Sequence, residues 1–133
     1  MPFYGNTSFT LLGPALPAGQ ALNDSLSRST FSADSAVTVN GTTRALATQL
    51  QAAISVCSTV GAGGLALLPQ ALPGRRAVVF NTGANTLAIQ GYVASDTIDG
   101  AASTTMTTAN RGAEFYCTSP GVWLSAKLGA AIS

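Results

Sequence analysis

The chain has 133 residues, enough for one domain with its own core, and a formal net charge of +1. Nothing in that charge points to nucleic acid or another polyanion. Charged residues make up only 8% of it, against roughly 25% in an ordinary soluble domain, while 47% is hydrophobic. A surface so poor in charge is weakly protected against association, so burial in an assembly is expected.

Residues 1–34 differ from the rest and read as an extended N-terminal arm, with the domain proper at 35–133. Phe3, Tyr4, Phe9, Leu11 and Leu12 are apolar without a helical or strand period, and Gly5, Gly13, Pro14, Pro17 and Gly19 interrupt them. Ordering such a segment costs about 1–2 kcal/mol per residue in backbone entropy, so buried apolar contacts must offset it. These five residues are the candidate interface of the arm, with a disordered terminus as the competing reading. Residues 19–29 have room for one or two helical turns. The opening Met-Pro-Phe-Tyr-Gly-Asn has neither a basic stretch nor a continuous apolar run. It is not a secretory signal, which makes cytoplasmic synthesis the expectation. No apolar run approaches the roughly 20 residues of a spanning helix.

Ala36–Val39 reads as a short strand and Asn40-Gly41 as a turn. Residues 43–51 have helix-forming composition, yet Leu46, Leu50, Ala52, Ile54, Val56 and Val60 recur at even positions. That period of two predicts strand over 52–60 and favours strand over helix for 43–51. Gly61-Ala62-Gly63-Gly64 is a loop without the Lys-Ser/Thr or the GxGxxG spacing of a phosphate cradle. Leu65–Leu68 is a strand stopped by Pro69. Pro73-Gly74 turns the chain into the central stretch, where Arg75 and Arg76 are the only adjacent charges. They mark either a solvated strand end or an intersubunit contact.

Ala77-Val78-Val79-Phe80 is a buried-strand run. Thr82–Asn85 is a turn signal, and Thr86–Gln90 alternates with Leu87 and Ile89 on one face. Together they predict an antiparallel hairpin. Asp96–Gly100 turns again, residues 101–108 are extended with Met106 inward, and strands follow at 113–117 and 122–125. Phe115, Tyr116 and Trp123 are expected in the core. Short strands with turns every 8–12 residues predict an all-β fold, a β-sandwich or jelly-roll-like barrel of short antiparallel strands.

Catalytic chemistry finds little material. Histidine is absent, which excludes Ser-His-Asp and Cys-His constellations and makes a zinc site untenable; Lys127 is the one lysine. Asp96 and Asp99 share a turn and are read as caps rather than as calcium ligands, because the EF-hand spacing is missing. Cys57 and Cys117 are read as buried free thiols in preference to a disulfide. No enzyme activity, cofactor, metal, nucleic acid or membrane partner is expected.

Residues 59–125 resemble a small β domain of tailed-phage and prophage virion proteins. The parts that carry the resemblance are Gly61-Ala62-Gly63-Gly64, Leu68-Pro69, Pro73-Gly74, Ala77 to Asn81 and Gly83-Ala84-Asn85. Ile98-Asp99-Gly100, Phe115-Tyr116 and Trp123 complete it. The resemblance implies a structural virion protein: a capsid decoration, or cement, protein. It would bind the major capsid protein at the capsid surface, self-associate as a homotrimer and clamp neighbouring capsomers. A tail- or head-fibre module for receptor or glycan binding is the alternative, and a minor tail or connector component the third. The first 40 residues match nothing in that pattern.

Overall fold

The computed structural model describes residues 32–108 and 111–128. The chain there is all-β, with ten strands: β1 (Ala33–Val39), β2 (Thr48–Gln49), β3 (Ile54–Val60), β4 (Leu65–Leu67), β5 (Arg76–Asn81), β6 (Leu87–Gln90), β7 (Thr97–Ile98), β8 (Ser103–Met106), β9 (Gly112–Ser119) and β10 (Val122–Lys127). They form a six-stranded sheet, ordered β1-β3-β5-β9-β10-β7, and a four-stranded sheet, ordered β2-β4-β6-β8.

The order shows how the chain travels. From β1 to β6 it alternates between the sheets, and each return lands parallel to the strand before. Ala33 lies beside Ile54 and Ile54 beside Val78 in the large sheet, while Thr48 lies beside Ala66 and Leu65 beside Ala88 in the small one. Each coil takes roughly 20 residues, the short end of the range for stacked repeats. This is solenoid-like stacking. The all-β expectation holds, but the antiparallel sandwich or jelly-roll arrangement is not what is observed, since β1/β3, β3/β5, β2/β4, β4/β6 and β7/β10 all pair in parallel.

The expected central hairpin is absent as well. β5 and β6 lie in different sheets, so Thr82–Asn85 is a corner between sheets and not a hairpin turn. Asn81 builds that corner. Fully buried, it donates from Nδ2 to the carbonyls of Asn85 (2.9 Å) and Met106 (3.1 Å), and its Oδ1 accepts from Gly83 N–H (3.0 Å).

After β6 the direction reverses. β8 runs antiparallel to β6, β9 antiparallel to β5, and β9–β10 form a hairpin around Pro120-Gly121. Between β7 and β8 the chain crosses from the large sheet to the small one. Asp99 (φ 52°) and Gly100 (φ 83°) both take positive φ there, as the Asp-Gly pair of a type I′ turn does. Asp99 also accepts from Ser125 N–H (2.8 Å) and Ser125 Oγ, which ties the turn to β10.

One core runs through the coil, from Val37 and Val39 through Cys57, Ala66, Val79, Leu87 and Ile89 to Met106, Phe115 and Trp123. Trp123 is fully buried and its Nε1 has no hydrogen-bond partner among the described residues. Residues 43–51 resolve into a 3-10 turn, Arg44–Leu46, followed by the two-residue β2. The even-position pattern holds only in part: Leu50 is buried in the core, but Leu46 is 70% exposed, and in β3 Ser55 and Cys57 face inward while Ile54 faces out. A bulge between Cys57 and Thr59 then returns Val60 to the core.

Candidate interaction surface

Alternation along a strand puts every second residue on the outer face of its sheet. In the large sheet the register makes these residues neighbours. Ile54 lies beside Val78, Val78 beside Glu114 and Glu114 beside Ala126. The next row is Val56, Phe80 and Gly112, and a third is Arg76, Tyr116 and Leu124. The outer face of this sheet is therefore largely apolar. Ile54 is 40% exposed, Tyr116 40% and Leu124 48%. The Phe80 ring lies over Gly112, where a side chain would collide with it, and Leu128 reaches the same place.

One polar cluster sits within the apolar field. Arg76 Nε contacts Glu114 Oε1 at 3.2 Å, and Tyr116 donates its phenol to the same oxygen. That bond to Glu114 holds the Tyr116 phenol above its usual pKa. With Arg76 largely in water, such a pair adds little to folding stability. Its weight would change if a partner covered it. Arg75, by contrast, turns back along its own chain and donates to the carbonyl of Gln70 (3.0 Å). The two arginines thus part: Arg76 belongs to the outer face, and Arg75 braces the loop leading into β5. The other candidate interface residues, Phe3, Tyr4, Phe9, Leu11 and Leu12, lie outside the described residues.

Other chemistry can be placed residue by residue. Among the described residues no three His, Cys, Asp or Glu side chains converge as a metal site would need. Asp96 is buried and closes its own turn by accepting from Val93 N–H (3.1 Å). Asp96 is thus a turn cap, whereas Asp99 does not cap its own turn and is held instead by Ser125 of β10. The glycine-rich loop spends its amides on the backbone: Gly61 N–H goes to Val39 O (2.8 Å) and Gly64 N–H to Gly61 O (2.9 Å). Cys57 and Cys117 are free and buried. Burial, with a smaller contribution from Asp34, pushes the Cys57 thiol up to about 11, and burial raises Cys117 too. Neither is poised as a nucleophile. Phe115 is core as expected, whereas Tyr116 belongs to the outer face.

Sequence reasoning missed Ile54 and Leu124. A signal existed in Ala77–Phe80, apolar at every position. Such runs belong to strands covered on both faces, as in parallel sheets. Among the described residues no helix is long and apolar enough to cross a membrane. No known family description matches the chain, and no curated protein or solved structure matches it either.

Proposed function

We propose that this chain is a structural virion protein, a capsid decoration protein that binds the assembled head of a tailed phage and stabilises contacts between capsomers. The observation that carries the reading is the apolar outer face of the large sheet in a chain with 8% charged residues. Three aligned rows of Ile, Val, Phe, Tyr and Leu around one ion pair are suited to a protein partner. The resemblance of residues 59–125 to small virion β domains supplies the kind of partner, the major capsid protein, and self-association as a homotrimer. Binding that favours the assembled shell stabilises it by linkage, whatever the chemistry of the contact. The apolar groups at Phe3, Tyr4, Phe9, Leu11 and Leu12 add contact area, and Arg76 adds a charge for orientation.

Co-sedimentation with empty capsids of the same origin tests the reading. The protein is expected to pellet at a saturating, symmetry-related stoichiometry, and the variants Leu124→Lys and Ile54→Lys to lose binding while keeping the circular dichroism of the parent. A protein that stays in the supernatant refutes the proposal. The stacked parallel coils favour a second reading, a fibre module, because such coils extend readily along one axis. Binding to host cells in place of capsids would select it.

A further inference from the structure

The outer face of the large sheet holds only two charged residues in its three rows, Arg76 in β5 and Glu114 in β9. They have opposite sign and lie in neighbouring strands, one row apart. The face is therefore neutral as well as apolar, which suits a partner surface of the same make better than a strongly charged one. Arg76 meets Glu114 through Nε (3.2 Å), yet its side chain is 59% exposed. A guanidinium offers five N–H donors in a planar fork, so Arg76 can keep its own Glu114 and reach a second carboxylate.

These positions have a two-fold match to themselves. With strands about 4.8 Å apart and rows roughly 6.8 Å apart, a line from Ile54 in β3 to Leu124 in β10 passes between Arg76 and Glu114, which lie equally far on its two sides. Val78 and Tyr116 lie close to the same line. A second copy turned over about it sets its Arg76 on Glu114 and its Glu114 on Arg76, so that the four charges alternate in sign. Ile54 falls on Ile54 and Leu124 on Leu124, and both are exposed in the single chain. The strands of the two copies cross steeply, in the orthogonal mode of sheet packing. We infer that in the free protein a second copy covers this face, with Arg76 of each copy paired to Glu114 of the other.

The face is small. Four strands and three rows span roughly 400 Å² per copy, against about 800 Å² per partner in a stable complex. The pair is accordingly weak and opens readily. A capsid that contacts the same face competes with the second copy, and a copy must leave its pair to bind. That consequence rests on the capsid reading, whereas the pairing does not. The pairing is also separate from three-fold association, since it doubles the mass of whatever unit is present.

Sedimentation velocity over a concentration series tests the inference, with a doubling of mass as the expected result for the parent. Arg76→Glu makes the centre of the face all acidic, and Glu114→Arg makes it all basic. Each variant alone is expected to pair about tenfold more weakly than the parent, or worse, because like charges then meet. Mixed in equal amounts, the two carry complementary faces and are expected to regain the doubled mass. Leu124→Lys, which sets two ammonium groups together on the axis, is expected to stay single. A parent that never doubles its mass, single variants that pair as the parent does, or a mixture that regains nothing would each overturn the inference. Pelleting with empty capsids is measured beside it. Pelleting without doubling overturns the pairing and leaves the capsid reading intact, and doubling without pelleting does the reverse.

Discussion

Replacing Asn81 by Leu tests whether residues 82–85 form a corner between sheets. The side chains are close in size, so the change is chiefly chemical. Asn81 makes three hydrogen bonds, to Gly83 N–H, Asn85 C=O and Met106 C=O. Gly83 is buried and its amide would lose the Asn81 acceptor; a buried donor without a partner costs about 1–3 kcal/mol. The Met106 carbonyl loses a donor inside the core, at roughly 1 kcal/mol, whereas the exposed Asn85 can turn to water. Leucine returns part of this as apolar burial, leaving a net loss of about 2–4 kcal/mol. At this chain length that lowers Tm by roughly 8–15 °C.

Thermal and urea unfolding, followed by circular dichroism, read the effect, with an unchanged m-value as the sign that the native state is intact. The informative comparison is Asn85→Ala, which removes only the bond from Asn85 Nδ2 to Val60 O (2.7 Å) at an exposed position. It is expected to cost about 1 kcal/mol. In a hairpin, the turn residue Asn85 would be the sensitive one and Asn81 a tolerant strand end. A loss below about 1 kcal/mol for Asn81→Leu, or a larger loss for Asn85→Ala, would refute the corner.

Two further changes probe other parts of the coil. Gly41→Ala is expected to cost at least about 2–3 kcal/mol, measured by urea unfolding, because the Leu46 carbonyl oxygen occupies the space of the added methyl and backbone cannot step aside cheaply. Cys57, with a thiol raised from 9.0 to about 11, stabilises the fold fully below pH 9 and loses that contribution as pH rises toward 11, since the unfolded chain ionises first. The ceiling is about 2–3 kcal/mol, reduced where water reaches the site. Cys57→Ala should flatten the alkaline limb of stability against pH, and an unchanged limb would count against the burial of this thiol.

The parts legible in the sequence were those set by local chemistry. Pro69 after Leu68, the Asp99-Gly100 pair, and Pro120-Gly121 each mark a place where backbone dihedrals are dictated by residue type, and the strands between them fall close to where they were expected. Leu87, Ile89, Met106, Phe115 and Trp123 were also legible, because each is large and apolar in a short strand. Partner choice was not. A Gly/Asn turn between two apolar runs serves a hairpin or a corner equally well, and what separates them is the sequence-distant strand that each run pairs with. For β5 those are β3 and β9. The Gln70–Arg75 bond and the Arg76–Glu114 pair were equally out of reach, since both depend on a loop path and a register.

The most instructive failure concerns β3. Its apolar residues Ile54 and Val56 occupy the outer face, while the polar Ser55 and the small Cys57 fill the core side. Burial against the core alone would favour the opposite phase, by roughly 1–2 kcal/mol for exchanging an isoleucine with a serine. On the inward side Ser55 lies in register with Val79 and Cys57 with Asn81, so β3 keeps the phase of the buried residues of β5. The outward residues are then free to serve something else. A solvated face would carry Lys, Glu or Thr at Ile54, Val78 and Leu124, as edge and surface positions of soluble sheets do. Instead all three are apolar, and they surround the Arg76–Glu114 pair at the matching heights of the adjacent strands. Exposed apolar side chains on the side away from the core, Ile54 in β3, Tyr116 in β9 and Leu124 in β10, are what a sheet with a second covering layer would carry. The proposed capsid contact would supply that layer, and co-sedimentation of the Leu124→Lys and Ile54→Lys variants is the measurement that checks it.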